Sequence, residues 1–134
     1  MHQAFRALAT VRIRAFAVAL AWALIAPVAL AQAPQQIETT MKNMLVAMQA
    51  KSLQKFIAAG DASFQQGMTQ EMLDSVSAQL APRLSQGYTS TFLGSLNQQG
   101  YTVYLWKVVF KDGKDDRVIT MAVKDGKVGG FFLR

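Results

Sequence analysis

The chain has 134 residues, a formal net charge of +6, no cysteine and one histidine, His2. The composition excludes disulfide staples and thiol nucleophiles, and with His2 lying in an N-terminal leader it leaves no imidazole for acid–base chemistry or for a metal. What remains suits one globular domain held by packing alone.

The first 31 residues read as an export signal. Arg6, Arg12 and Arg14 precede the uncharged, mostly apolar run Ala15 to Leu30, and Ala29-Leu30-Ala31 offers the small-x-small pattern that signal peptidase accepts. Cleavage is expected after Ala31. The apolar run is 16 residues long and interrupted by Pro27, short of the roughly 18 that a membrane span needs. No stable membrane anchor is therefore expected after cleavage. A lipid anchor needs a cysteine, and the twin-arginine route needs adjacent arginines. The general secretory route and a periplasmic or secreted destination follow. Loss of the leader removes three arginines and no acid, which lowers the charge from +6 to +3. The remaining cations around Lys111 to Lys127 alternate with aspartates at turns, so no basic face forms and nucleic acid is not an expected partner.

Gln32 to Gln36 reads as a short flexible tail, and Ile37 to Arg134 as the domain. Ile37, Met41, Met44, Leu45, Met48, Leu53, Phe56 and Ile57 recur mainly at spacings of three and four, which predicts an amphipathic helix from Ile37 to Ala59. Gly60 ends it, and Asp61 can cap a short turn through Phe64. Thr69 is placed as the N-cap of a second helix, Gln70 to about Leu80, with Glu71 at the positive end of its dipole. Pro82 is expected to kink or stop it.

Beyond Gly87 the period changes to two. Strands are expected over Tyr88 to Leu96, Tyr101 to Lys111, Arg117 to Lys124 and Val128 to Leu133, joined by the turns Asn97 to Gly100, Asp112 to Asp115 and Asp125-Gly126. Short connections join antiparallel neighbours, so the expectation is an α+β fold with N-terminal helices packed on a curled four-stranded antiparallel meander. The face toward the helices takes Tyr88, Phe92, Leu96, Tyr104, Trp106, Val108, Phe110, Ile119, Met121, Val123, Phe131 and Leu133. The opposite face takes Thr89, Thr91, Ser95, Lys107, Thr120, Lys124 and Arg134. That outer face also carries Tyr101, Val103, Leu105, Val109 and Val118, an apolar patch that predicts a homodimer, since a two-fold contact lets one patch satisfy itself.

Two helices followed by a meander that closes on Val123-Lys124-Asp125-Gly126-Lys127-Val128-Gly129-Gly130-Phe131-Phe132 resemble the nuclear transport factor 2-like, or cystatin-like, α+β superfamily. The glycine before the first strand, Gly87, and the final Asp125 to Phe131 hairpin are similar to a small secreted bacterial branch of that superfamily, a domain of unknown function numbered 3887. The resemblance spans Ile37 to Arg134. It implies a cone-like sheet around a long helix with a pocket between them. It does not choose between the isomerases, dehydratases, accessory subunits and binding modules that share the fold.

The chemistry available in such a pocket is limited. Superfamily isomerases pair a tyrosine with a carboxylate, for which Tyr104 with Asp61 or Asp74 would be the pieces here, although helix capping and a solvent-facing position explain the two acids more simply. Asp112, Asp115 and Asp116 lack calcium-loop spacing and sit among Lys111, Lys114 and Arg117, so no metal is expected. No cofactor is expected either. Met41, Met44 and Met48, set against Tyr104, Trp106, Phe110 and Met121, form the candidate pocket lining, with plain core as the simpler reading. The functional expectation is an exported noncatalytic module that binds an apolar small molecule or a protein partner in the cell envelope, as a dimer. The alternatives are a proton-transfer isomerase or dehydratase using a pocket carboxylate, and a purely structural dimer with a filled core.

Overall fold

The computed structural model describes residues 32–134, so the expected signal peptide and its cleavage site lie outside the described residues, apart from Gln32 onward. Helix α1 (Gln35–Gln49) begins directly after Pro34. A proline at a helix start loses no hydrogen bond, because the first N–H groups have no partner in any case. The Pro34 carbonyl accepts the Glu38 N–H at 3.0 Å. Gln35 and Gln36, expected in the tail, therefore form the first helical turn.

The long helix expected to reach Ala59 stops at Gln49. Lys51 takes a left-handed φ of +53°, and Ser52 caps a new helix, α2 (Leu53–Ile57), by accepting the Lys55 N–H at 3.4 Å. The cause is visible in the apolar spacing. From Met48 to Leu53 is a step of five, which in a continuous helix would carry Leu53 about 140° off the stripe. Breaking the chain at Lys51 and Ser52 brings Phe56 back into the core, where it is 3% exposed.

Asp61 caps α3 (Ala62–Gly67), its carboxylate accepting the Phe64 N–H at 2.8 Å. Thr69 caps α4 (Gln70–Ser85) by accepting the Met72 N–H at 3.2 Å. Pro82 neither stops nor ends α4, which continues for one more turn. Proline costs that turn a single N–H. The turn is held instead by buried Leu84 and by Arg83, whose Nε donates to the Asp112 carboxylate at 2.7 Å and whose guanidinium lies 3.9 Å from the Phe110 ring centre.

The second half is the expected meander: β1 (Tyr88–Gln98), β2 (Tyr101–Phe110), β3 (Arg117–Lys124) and β4 (Lys127–Leu133), antiparallel and in sequence order. Two of its turns have two residues with positive φ, Gln99-Gly100 at +52° and +82° and Asp125-Gly126 at +51° and +75°. Both match the twist of the strands they join. The first is tighter than the four-residue turn expected, because β1 runs on to Gln98.

A bulge between Phe92 and Gly94 corrects the facial assignment of β1. Before it, Phe92 opposes Trp106 on the helix side. After it, Ser95 opposes Tyr104 and Leu96 opposes Val103. One extra residue turns every later side chain over. Leu96 is consequently on the outer face and 45% exposed, while Ser95 takes the inner phase.

Between the helices, Gly60 forms an isolated parallel bridge to Val128. The Val128 N–H donates to Ala59 O and the Asp61 N–H to Val128 O, both at 2.8 Å. The start of the β4 edge is thereby paired, which blunts an otherwise open strand edge. At the neighbouring Gly129, an added Cβ would come within 2.5 Å of the Tyr101 ring, so only glycine admits that ring.

The core lies between the helices and the inner sheet face. Met41, Met44, Leu45 and Met48 of α1, Leu73, Leu80 and Leu84 of α4, and Trp106, Val108, Ile119 and Met121 of the sheet are all buried. Ser77 is the one buried polar side chain of the described residues, and its hydroxyl donates to Met48 O at 2.6 Å, tying α4 to the end of α1.

Candidate functional site

The methionine and aromatic cluster expected to line a pocket is closed core. Met41, Trp106 and Met121 are 0% exposed, and Met44, Met48 and Phe110 are 3% or less. Only Tyr104 is half-buried, its ring 6.2 Å from Trp106 and 6.4 Å from Phe92. Six of the seven therefore act as packing. The reason is that α1 presents its methionine stripe directly to the inner sheet, and methionine adapts to fill what the aromatics leave.

The carboxylate that reaches the inner sheet is Glu38, in the first turn of α1. Trp106 Nε1 donates to its Oε2 at 2.7 Å, and Lys42 Nζ lies 3.3 Å from its Oε1. Both oxygens are thus engaged. An open cleft of about 820 Å³ adjoins this pair, lined by Glu38, Lys42, Ser90 and Thr91 among others. The two acids considered for catalysis are placed differently. Asp61 accepts the α3 cap bond, and Asp74 accepts Gln70 Nε2 at 2.8 Å. Among the described residues no hydrogen bond joins Tyr104 to either of them. The aspartates of the β2–β3 turn do not converge: Asp112 is bound by Arg83, the Asp115 carbonyl accepts from Arg83 at 2.8 Å, and Asp116 lies 3.5 Å from Lys107. The Arg83 hydrogen bond, followed by the Lys114 N–H, holds the Asp112 carboxyl below the usual carboxylate range, and the same pairing raises Arg83.

The proposed dimer residues are dispersed in exposure. Val109 is 37% exposed and Leu105 and Val118 are half-buried, whereas Val103 is 5% exposed between its cross-strand neighbours Leu96 and Ala122. Tyr101 reaches across β3 to lie against Gly129, with Lys124 Nζ 5.8 Å from its ring centre.

A half-open groove of about 370 Å³ lies instead between α4 and the β4 edge. Its helix wall is Met72, Val76 and Gln79, its strand wall Phe131, Phe132 and Leu133, and its floor the core residues Met48, Phe56 and Leu73. The origin is local. Leu73, Ser77, Leu80 and Leu84 form the stripe of α4 that is buried, and Met72 and Val76 form a second apolar stripe beside it that no other element of the described residues covers. Met72 is 50% exposed, Val76 41% and Phe132 52%. The sequence signal was present in the width of the α4 apolar arc, which exceeds what one packing face needs. The groove shares Met48 with the expected pocket and Arg117 with the expected charged rim.

Helices packed on a four-stranded antiparallel meander define an α+β domain. Neither a protein-family model nor a curated protein matches this chain. Among solved structures it is similar to an uncharacterized cystatin fold protein from Novosphingobium aromaticivorans, at 15% identity and a TM-score of 0.40, over 76% of this chain and 99% of that one.

Proposed function

We propose that this chain is an exported noncatalytic module of the cell envelope that binds an apolar small molecule in the groove between α4 and β4. The observation that carries the reading is the exposed stripe of Met72 and Val76, 50% and 41% exposed, on one wall of a concavity whose other wall is the inner-face pair Phe131 and Leu133. Monomeric proteins seldom leave such a patch without use, and small-molecule sites are concave and mostly apolar. Membership of the nuclear transport factor 2-like superfamily, and of its small secreted branch, belongs to the same proposal, as does removal of residues 1–31 on export.

Titration of the purified protein with the neutral fluorescent probe N-phenyl-1-naphthylamine tests it. The expected result is saturable binding that Val76→Glu weakens at least tenfold with no change in the unfolding midpoint. Absence of saturable binding, or binding indifferent to Val76→Glu, overturns it.

The outer sheet face is proposed as the homodimer contact, with Leu105, Val109 and Val118 at its centre and Leu96 added by the β1 bulge. Sedimentation at micromolar concentration is expected to give a dimer that Leu105→Lys dissociates. A monomer throughout rejects it.

A further inference from the structure

The groove carries one charge, and the strand register explains its presence. Arg117 opens β3 in the same two-residue phase as Ile119, Met121 and Val123, all of which are buried on the helix side. Side chains in one phase share one face, so the guanidinium stands at the open end of the inner face, in the groove wall. Among the described residues no carboxylate lines that groove. Arg117 makes no ion pair among these residues, and two acids of the preceding turn are held by other cations, Asp112 by Arg83 and Asp116 by Lys107.

Building on the reading of the groove as an apolar ligand site, we propose that its ligand is a single-chain amphiphile with a carboxylate head. The chain lies along Met72, Val76 and Phe131, and the carboxylate sits on the Arg117 guanidinium. Two parallel N–H donors of a planar guanidinium match the two oxygens of a carboxylate. A volume of about 370 Å³ is at the small end for ligand pockets, which suits one chain better than a two-chain lipid.

Isothermal titration of the purified protein with dodecanoate, dodecanol and dodecyltrimethylammonium, each kept monomeric, tests the head group. Dodecanoate is expected to bind about tenfold more tightly than dodecanol, as a charge-assisted hydrogen-bonded pair contributes on that scale. Arg117→Gln is expected to bring dodecanoate down to the dodecanol level and leave dodecanol unchanged, with Arg117→Lys recovering part of the difference. Unchanged Trp106 fluorescence confirms that each variant is folded. Equal binding of acid and alcohol, preference for the ammonium compound, or an acid preference that survives Arg117→Gln overturns the head-group assignment while sparing the groove. Binding of none of the three removes the groove reading itself.

Discussion

The two methionine-bearing faces of this molecule have similar side chains and opposite fates. On α1, Met41, Met44 and Met48 are buried with Trp106 and Met121 at 2% exposure or less, whereas on α4, Met72 stands half exposed beside Val76. What differs is whether a second surface arrives. The inner sheet lies across the α1 stripe, while β4 ends at the edge of the sheet and leaves the outer stripe of α4 facing a groove. Residue chemistry alone therefore does not mark an open groove in this fold; the lack of a covering element among the described residues does.

The largest expected effect breaks the closed side. Met44→Ala removes a side chain that is 2% exposed, and should cost about 2–5 kcal/mol, the transfer term plus that of a cavity which cannot collapse. Chemical denaturation followed by the single tryptophan of the described domain, Trp106, reads it directly. A loss below about 1 kcal/mol would mean that α1 is not seated on the sheet as described.

Much of this contrast was legible in the residues. Period-two alternation in β2, β3 and β4 assigned Trp106, Ile119 and Phe131 to the helix side, because in a half-buried strand the phase is enforced by burial. Leu96 escaped that logic, since a bulge is set by backbone geometry and leaves no apolar signature of its own. The break at Lys51 was visible only as a spacing of five, easily absorbed into a long amphipathic pattern. The groove was harder still. Met72 and Val76 fall at helical spacing with Leu73 and Leu80, but whether such a position is covered depends on the angle at which α4 crosses the sheet, and spacing along one helix carries no information on that. Arg117 could have been found: its shared phase with Ile119 and Met121 places a charge on an otherwise apolar face.

A smaller effect concerns the joint between the two sides. Ser77 lies on the buried stripe of α4, one residue from groove-lining Val76, and its hydroxyl caps the Met48 carbonyl. That carbonyl also accepts the Lys51 N–H at 3.1 Å, so Ser77→Ala removes one of two bonds and should cost about 0.5–1.5 kcal/mol. Ser77→Thr keeps the bond but adds a methyl group to a site with 0% exposure, so it too should destabilise, by overpacking. A neutral Ser77→Ala would show that the Lys51 N–H satisfies the Met48 carbonyl alone and that the hydroxyl does not hold α4 to α1.

The far end of α4 is tied by charge, and its contribution depends on pH. The folded-state pKa of Asp112 lies below its unfolded value, chiefly through the Arg83 hydrogen bond. Its stabilisation is therefore fully present above the ordinary carboxylate range and is lost as pH falls through the lowered folded value. Asp112→Asn should flatten the acid limb of the stability curve without altering its shape above about pH 6. An unchanged acid limb would show that the Arg83–Asp112 pair does not set the acid sensitivity of the fold.

The smallest expected change in stability is the most telling for the comparison. Met72→Ala shortens a half-exposed side chain that lines the groove, and exposed substitutions normally fall within about 0.5 kcal/mol. The same truncation removes contact area from the helix wall, so binding of a neutral apolar probe should weaken several-fold while the denaturation midpoint stays in place. Met44→Ala should do the reverse, shifting the midpoint and changing probe affinity only in proportion to the unfolded fraction. If Met72→Ala instead destabilises as strongly as Met44→Ala, Met72 is covered in solution, by a folded-over segment or a second subunit, and the two faces are alike after all.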